Sequence, residues 1–484
     1  MKNTERPWAQ ILFICCVFAL LVAPAVGMLG TRGAAPQSTG PAAFPRLAPD
    51  GKLNTNFLSQ AGSWLEAHFA GRDQMITANA ALQAKLLKVS ATDQVVLGSG
   101  GWLYYAGDLN GYVGAAPLSE HALANIAHNL ALMQHYTEAQ GARFVFAIAP
   151  DKAQLYPDQM PARYRKSPRP SDAERLVPYL QREGVHYVDL FAALSASSST
   201  GDGAGPLYLT GDSHWNNKGA LIASDALASA AGLTLQQSGA WITRDDMIGD
   251  LELMLHPAWP RTEPQYYLPG INDGPGMSGA SWRYTSAARD VTADLVTTSA
   301  EASATLLVYR DSFGNALLPY LAAGTGKATF SKLVPYNALQ IGEAGADAVI
   351  VERAQRHLSY LAQQPPIMPA PRVELDTTGA IQRQGGPATS AIVTGANGPL
   401  TIFSGRIDPR IARLGSRIFV GLVTASGDEK VYEAFTTSST AAGDSGFIAA
   451  VLTRDIDPGA TMVKAYVVEQ GQIFLASSAP WRIR

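Results

Sequence analysis

Three short runs in this chain are apolar without alternation: Phe144-Val145-Phe146-Ala147-Ile148-Ala149, Leu306-Leu307-Val308-Tyr309 and Ala348-Val349-Ile350-Val351. A strand with one face in water alternates apolar and polar residues. A strand apolar throughout has to be covered on both sides. Segments of helical character lie around these runs, at 119–141, 171–183, 218–231 and 314–323, with further strand runs at 185–190 and 328–334. Strands alternating with helices in this way predict an α/β domain with a mostly parallel sheet and helices on both faces. Ahead of it, 56–88 shows helical spacing of Phe57, Trp64, Leu65, Phe69, Leu82, Leu86 and Leu87, and 94–106 predicts a hairpin turning at Gly98-Ser99-Gly100-Gly101.

The pattern changes after Pro365. Short alternating runs at 389–393, 400–404, 417–423, 430–435, 447–452 and 462–468 are separated by Gly, Asp and Pro turns. They predict a C-terminal antiparallel β-sandwich over 370–484. Its aromatic residues Tyr432, Phe435, Tyr466, Phe474 and Trp481 are mostly expected in the core, with stacking on sugars as the alternative.

The N-terminus has Lys2 and Arg6 ahead of an apolar run from Trp8 to Gly30, interrupted only by Gln10. Residues 1–30 therefore read as a signal peptide or as a signal-anchor helix in the inner membrane. Either reading exports the body, through a Gly-, Ala- and Pro-rich linker at 31–50 to a catalytic domain at 51–365. The only cysteines, Cys15 and Cys16, lie inside the apolar run. The body therefore has no disulfide, thiolate metal site or cysteine nucleophile. A formal net charge of -3 speaks against a nucleic-acid partner, whose phosphates call for a basic surface.

Two motifs carry chemistry. In Gly211-Asp212-Ser213-His214-Trp215-Asn216-Asn217, the acid and the histidine are two residues apart in an extended segment and share a face. The carboxylate can hold one ring nitrogen and leave the other as a base. The plainer alternative is a capping loop with Asn216 or Asn217 starting the next helix. In Tyr309-Arg310-Asp311-Ser312-Phe313-Gly314, a buried strand runs through a turn into a helix. Ser312 then stands at the carboxyl end of a strand, where open α/β sheets bind ligands. The plainer alternative is a serine N-cap. Each motif needs what the other supplies, since a serine hydroxyl is a weak nucleophile without a base. Among eight histidines, only His214 has an aspartate two residues before it. His121, His128 and His135 read as helix-surface residues.

These pieces resemble the periplasmic polysaccharide O-acetyltransferases of the alginate AlgJ/AlgX type, which have an SGNH-hydrolase-like domain. The resemblance runs from about Phe57 to His357. It includes Gly100-Gly101-Trp102-Leu103-Tyr104-Tyr105, Ala149-Pro150-Asp151-Lys152, Asp212-Ser213-His214-Trp215, Gly249-Asp250-Leu251 and Asp311-Ser312-Phe313-Gly314. It implies a nucleophile at Ser312, a general base and acid at His214 and an orienting carboxylate at Asp212, with no cofactor or metal. It also implies a carbohydrate-binding module in the C-terminal sandwich, a polysaccharide acceptor and an acetyl donor presented by a membrane-bound O-acyltransferase. Arg310 departs from the pattern, since Gly is common there. No Asn of an oxyanion block is evident, so the candidate oxyanion or substrate contacts are the N–H of Phe313, Tyr336, Arg353, Gln355 and Lys152. The same triad also serves a glycan acetyl esterase, and a vestigial triad would leave a polysaccharide-binding assembly protein.

Overall fold

The unalternating runs form the middle of a seven-stranded sheet. In the computed structural model, which describes residues 7–30, 43–68, 70–199, 205–235, 239–273, 279–382, 389–438 and 445–482, the chain divides into two compact units. One comprises Met1–Leu97 and Asp250–Arg261; the other comprises Gly98–Gly249 and Thr262–Arg484.

The larger unit holds the sheet. Its strands are β1 (Arg143–Ala149), β2 (Tyr187–Val188), β3 (Trp282–Tyr284), β4 (Leu295–Ser299), β5 (Thr305–Tyr309), β6 (Lys327–Ser331) and β7 (Ala348–Ala354). Their order is β2-β1-β7-β5-β6-β4-β3. The five strands from β2 to β6 pair in parallel, and β4 and β3 close one edge antiparallel. The helices α4 (Glu120–Ala139), α5 (Asp172–Arg182), α6 (Leu190–Ser199), α7 (Asn217–Ala230) and α8 (Gly314–Ala323) cover it. Val145, Ala147, Leu306, Val308 and Ile350 pack against Ala223 and Leu227 of α7 and Leu317 and Leu321 of α8. The alternate residues Phe144, Phe146, Leu307, Val349 and Val351 pack against Leu123, Ile126 and Leu130 of α4 and Leu176 and Leu180 of α5. Both faces are dry, which is why these runs needed no polar residue.

Caps fix the helix starts. The Ser119 hydroxyl accepts from the Ala122 N–H at 3.1 Å, and Ser171 and Glu174 form a reciprocal capping box. Asn216, not Asn217, caps α7 by accepting the N–H groups of Lys218 and Gly219, each at 3.0 Å.

The C-terminal region is a second, largely antiparallel β domain of two packed sheets. Six strands, β8 (Arg372–Val373), β9 (Ile381–Gln382), β12 (Arg417–Thr424), β13 (Glu429–Glu433), β16 (Ala460–Glu469) and β17 (Gln472–Pro480), lie in the order β8-β13-β12-β16-β17-β9. Four more, β10 (Val393–Asn397), β11 (Leu400–Ile407), β14 (Phe435–Ser438) and β15 (Ser445–Leu452), lie in the order β10-β11-β15-β14. The run expected over 430–435 breaks at Ala434, and the chain changes sheets there. The strand expected over 389–393 instead begins at Val393. β17 was not expected, and β9 pairs with it in parallel. Tyr432, Phe435, Tyr466 and Phe474 are buried, and Trp481 packs edge-on to Phe403. Four of these five rings therefore fill the core, and Trp481 keeps part of its surface.

The body and this β domain share a packed boundary. Asn129 of α4 donates to the Thr436 carbonyl at 2.8 Å and accepts the Thr436 N–H at 3.1 Å. Phe435 lies in the core on the α4 side of the sheet. His128, expected on the surface, is buried there, 3.5 Å from Glu433.

In the smaller unit, the stretch of helical spacing over 56–88 is divided. It forms α2 (Phe57–His68), α3 (Arg72–Leu82) and a wider turn at Gln83–Leu87; Gly71, at a φ of 80°, separates the two helices. The apolar N-terminal run forms α1 (Pro7–Gly30). Among the described residues no helix is long and apolar enough to cross a membrane, and the anchor expectation finds no support there. Lys2, Arg6 and residues 31–42 of the expected linker lie outside the described residues. His256, which has no acid two residues before it, pairs with buried Glu252 at 2.8 Å, and Arg261 holds the same carboxylate at 2.7 Å.

Candidate active site

The two motifs, 98 residues apart in sequence, meet at the carboxyl ends of the parallel strands. Nδ1 of His214 lies 2.7 Å from Oδ1 of Asp212, and its Nε2 lies 2.8 Å from Oγ of Ser312. An ionised carboxylate only accepts, so the proton belongs on Nδ1 and the Nε2 lone pair faces the serine hydroxyl. The same Asp212 oxygen accepts the His214 backbone N–H at 2.8 Å, which fixes the residue to its own partner. Asp212 is buried, while Ser312 and His214 keep part of their surface.

The loop carrying Asp212 is held from three sides. Lys152 is fully buried, and its ammonium donates to the carbonyls of Leu103, Thr210 and Asp212 at 2.7–2.9 Å. It thus ties this loop to β1 rather than facing a substrate. Glu263 accepts the N–H groups of Thr210 and Gly211 at 2.5 and 2.9 Å. Gly249 closes the third side. A Cβ there would stand 2.1 Å from the Gly211 carbonyl oxygen, so only glycine lets the two segments touch. The sequence offered no sign of Glu263, which acts from 52 residues away.

Asp311 shapes the serine turn. Its Oδ1 accepts the Phe313 N–H at 3.0 Å, and its Oδ2 accepts the Ala354 N–H at 2.9 Å and lies 2.8 Å from Nδ1 of His357. Burial pushes this carboxyl up, but the hydrogen bonds from His357 and Ala354 outweigh it and hold the group below the usual carboxylate range. The carboxylate thereby joins the end of β5 to the end of β7. His357 does have an acid partner after all, brought to it by sheet pairing rather than by spacing. The Phe313 N–H, expected as an oxyanion donor, is already committed to Asp311. The N–H groups of Ser312 and Gly314 have no acceptor among the described residues.

Arg310, where Gly was expected, is fully buried behind the turn. It donates to Asn315 Oδ1 at 2.5 Å and to the carbonyls of Val291 and Ala293 at 3.1 and 3.3 Å. A Cβ at Gly314 would meet Arg310 Cβ at 2.5 Å, so this arginine requires the glycine. The remaining candidates lie further back. Tyr336 is buried against Tyr309, Arg353 is buried over the Tyr360 ring, and Gln355 lines a cleft near Asp108. None of the three hydrogen-bonds Ser312 or His214 among the described residues.

Residues 95–267 match the family model described as the SGNH hydrolase-like domain of acetyltransferase AlgX; this stretch includes Asp212 and His214 and ends before Ser312. Over that stretch the chain resembles an SGNH hydrolase-like domain, and the fold sets it in an α/β sheet protein with an added C-terminal β domain. Within that class, the chain resembles the alginate-type O-acetyltransferases AlgJ and AlgX. It is 30% identical over 154 residues to the probable alginate O-acetylase AlgJ of Pseudomonas syringae pv. tomato, covering 31% of this chain and 36% of that one. It is 26% identical over 187 residues to the protein of the same name from Pseudomonas putida, covering 39% and 46%. The chain thus spans less than half the length of these curated relatives. Similar solved structures include the O-acetyltransferase domain of Pseudomonas putida AlgJ, at 19% identity and a TM-score of 0.36 over 55% of this chain and 91% of that one. Pseudomonas aeruginosa AlgX is another, at 13% identity and a TM-score of 0.35 over 79% and 94%.

Proposed function

We propose that this protein is a polysaccharide O-acetyltransferase, in which Ser312 carries the acetyl group and His214 and Asp212 complete the triad. The reading rests on the continuous chain Asp212–His214–Ser312, at 2.7 and 2.8 Å. Ser312 Oγ attacks the acetyl carbonyl of the donor ester as His214 Nε2 takes its proton. Asp212 stabilises the imidazolium formed. The tetrahedral oxyanion meets the N–H groups of Ser312 and Gly314 at the start of α8. It collapses to acetyl-Ser312, and His214 returns the proton to the departing alkoxide. An acceptor sugar hydroxyl then gives its proton to His214 and attacks the acetyl-serine. As the second tetrahedral intermediate collapses, His214 passes this proton to Ser312 Oγ, which releases the O-acetylated sugar and restores the serine and the neutral imidazole. The relatives' names point to an exopolysaccharide as acceptor, and the apolar N-terminal run to export into the periplasm.

Incubating the protein with an activated acetyl ester and oligosaccharide acceptors, followed by mass spectrometry, tests this. Acetyl-Ser312 and acetylated glycan are expected. Release of acetate alone in the presence of acceptors would make the protein an esterase, and an unmodified Ser312 with no turnover would leave only a binding role.

A further inference from the structure

Behind Phe313, the larger unit contains a cleft of about 700 Å³ that the triad does not use. This volume falls within the range of small-molecule sites, about 300–1,000 Å³. The cleft adjoins the reacting groups through one side chain. The Arg356 guanidinium lies 5.0 Å over the Phe313 ring, and that ring is 4.8 Å from the His214 ring. Ser438 of the C-terminal β domain contributes to its wall, so both parts of the unit shape it.

Asp108, Asp151 and Asp172 line the cleft with Arg356 as the sole lysine or arginine in the lining. Arg356 reaches Asp108 at 3.4 Å and Asp151 at 3.6 Å, and burial, with the neighbouring Asp108, holds the Asp151 carboxyl well above its ordinary range and so toward its neutral form. Asp172 is paired with Arg175 at 2.8 Å. His121, also in the wall, is held toward its neutral form by burial. Asp108 is only 3% exposed, yet its Oδ2 has no hydrogen-bond partner among the described residues. A buried carboxylate oxygen without a donor is costly, and a ligand hydroxyl would supply one. With Asp151 held toward its neutral form, Arg356 meets Asp108 and Asp172 meets Arg175, so the described residues of the wall leave no unmatched positive charge for a uronate carboxylate. Arg356, already between the two acids, provides the positive charge a metal ion would bring.

We infer that this cleft is a subsite for an uncharged, hydroxyl-bearing sugar residue of the acceptor polymer, with Asp108 accepting one of its hydroxyl protons. This rests on the acetyl-transfer reading and narrows its substrate to a polymer with neutral residues.

The test probes an oligosaccharide array bearing neutral and homopolyuronate chains with the full chain, its Asp108→Ala variant and its Ser359→Trp variant. Ser359 is a part-exposed residue of the cleft wall, and tryptophan there fills the cleft without disturbing the buried acids. Retention of neutral oligosaccharides is expected, falling about tenfold or more in both variants, as befits loss of a hydrogen bond to a charged group. If Asp108→Ala does not fold, Ser359→Trp decides alone. Preferential retention of polyuronates, no retention of neutral chains, or unchanged retention in the variants would overturn the proposal. Mass spectrometry of Ser312 after exposure to an acetyl ester is run in parallel. Its failure would remove the transferase reading while the array still judges the cleft.

Discussion

The Trp215 indole N–H donates to the Phe313 carbonyl at 3.2 Å, and the two rings meet edge to face with centroids 4.9 Å apart. These residues directly follow His214 and Ser312, so one contact links the segments that carry the His214 ring and the Ser312 hydroxyl. Trp215→Phe keeps a ring but removes the donor. Stability is expected to fall by about 0.5–1.5 kcal/mol. Turnover of a small acetyl ester is expected to fall by about tenfold, because slight misplacement of reacting groups is costly. Thermal melts and steady-state kinetics check both, and unchanged turnover would show that the clamp does not set the geometry.

Ser312→Ala and His214→Ala are expected to lose about a thousandfold or more in turnover with little change in melting temperature. Asp212→Asn is expected to retain more, since it disturbs the tautomer and orientation without deleting the base. Equal loss in all three would indicate that Asp212 is needed to build the loop rather than to orient the ring; circular dichroism of each variant separates the two.

Gly249→Ala is expected to destabilise the larger unit by about 1–3 kcal/mol, because its methyl group would collide with backbone at Gly211 and Asp212. Turnover is expected to fall with it, since the displaced segment carries Asp212. Denaturant melts and ester kinetics on one preparation test the coupling. Normal turnover in a destabilised variant would show that the Asp212 loop is held elsewhere.

Asn129→Ala leaves the buried N–H and carbonyl of Thr436 without their partner and is expected to cost about 1–3 kcal/mol. A chain ending at residue 365 also uncovers the core around Phe435. It is expected to melt lower while still cleaving a small ester, because Asp212, His214 and Ser312 all lie upstream. Loss of that cleavage in a folded truncated chain would mean that the β domain completes the site.

Burial pushes the Asp108 carboxyl up to about 6 against the pull of Arg356. The folded state therefore holds this proton more tightly than the unfolded chain does. The resulting stability is fully present below about pH 4 and is lost as pH rises through about 6, by up to about 3 kcal/mol. Asp108→Asn lacks this dependence, so its stability relative to the natural protein is expected to rise between pH 4 and 6 and then level off. Urea melts of both proteins across that range measure the difference, and a flat difference would place the carboxyl near its ordinary value.

The sequence by itself determined which strands lie at the centre of the sheet, because a run such as Phe144 to Ala149 without polar alternation has to be covered on both faces. It also marked Ser312 at a strand-to-helix turn and the local pair Asp212 and His214, whose relation spans two residues. The supports of the site were decided only by tertiary structure. Lys152 and Glu263 reach the Asp212 loop from 60 and 52 residues away, and His357 reaches Asp311 from 46. Such partners are chosen by strand pairing and burial, and leave no spacing to read. The Phe313 N–H was misjudged for the same reason: whether a backbone donor is available depends on where the neighbouring carboxylate turns. The sheet change at Ala434 likewise follows from the packing of the two sheets against each other, since a single alternating run suits a strand in either sheet.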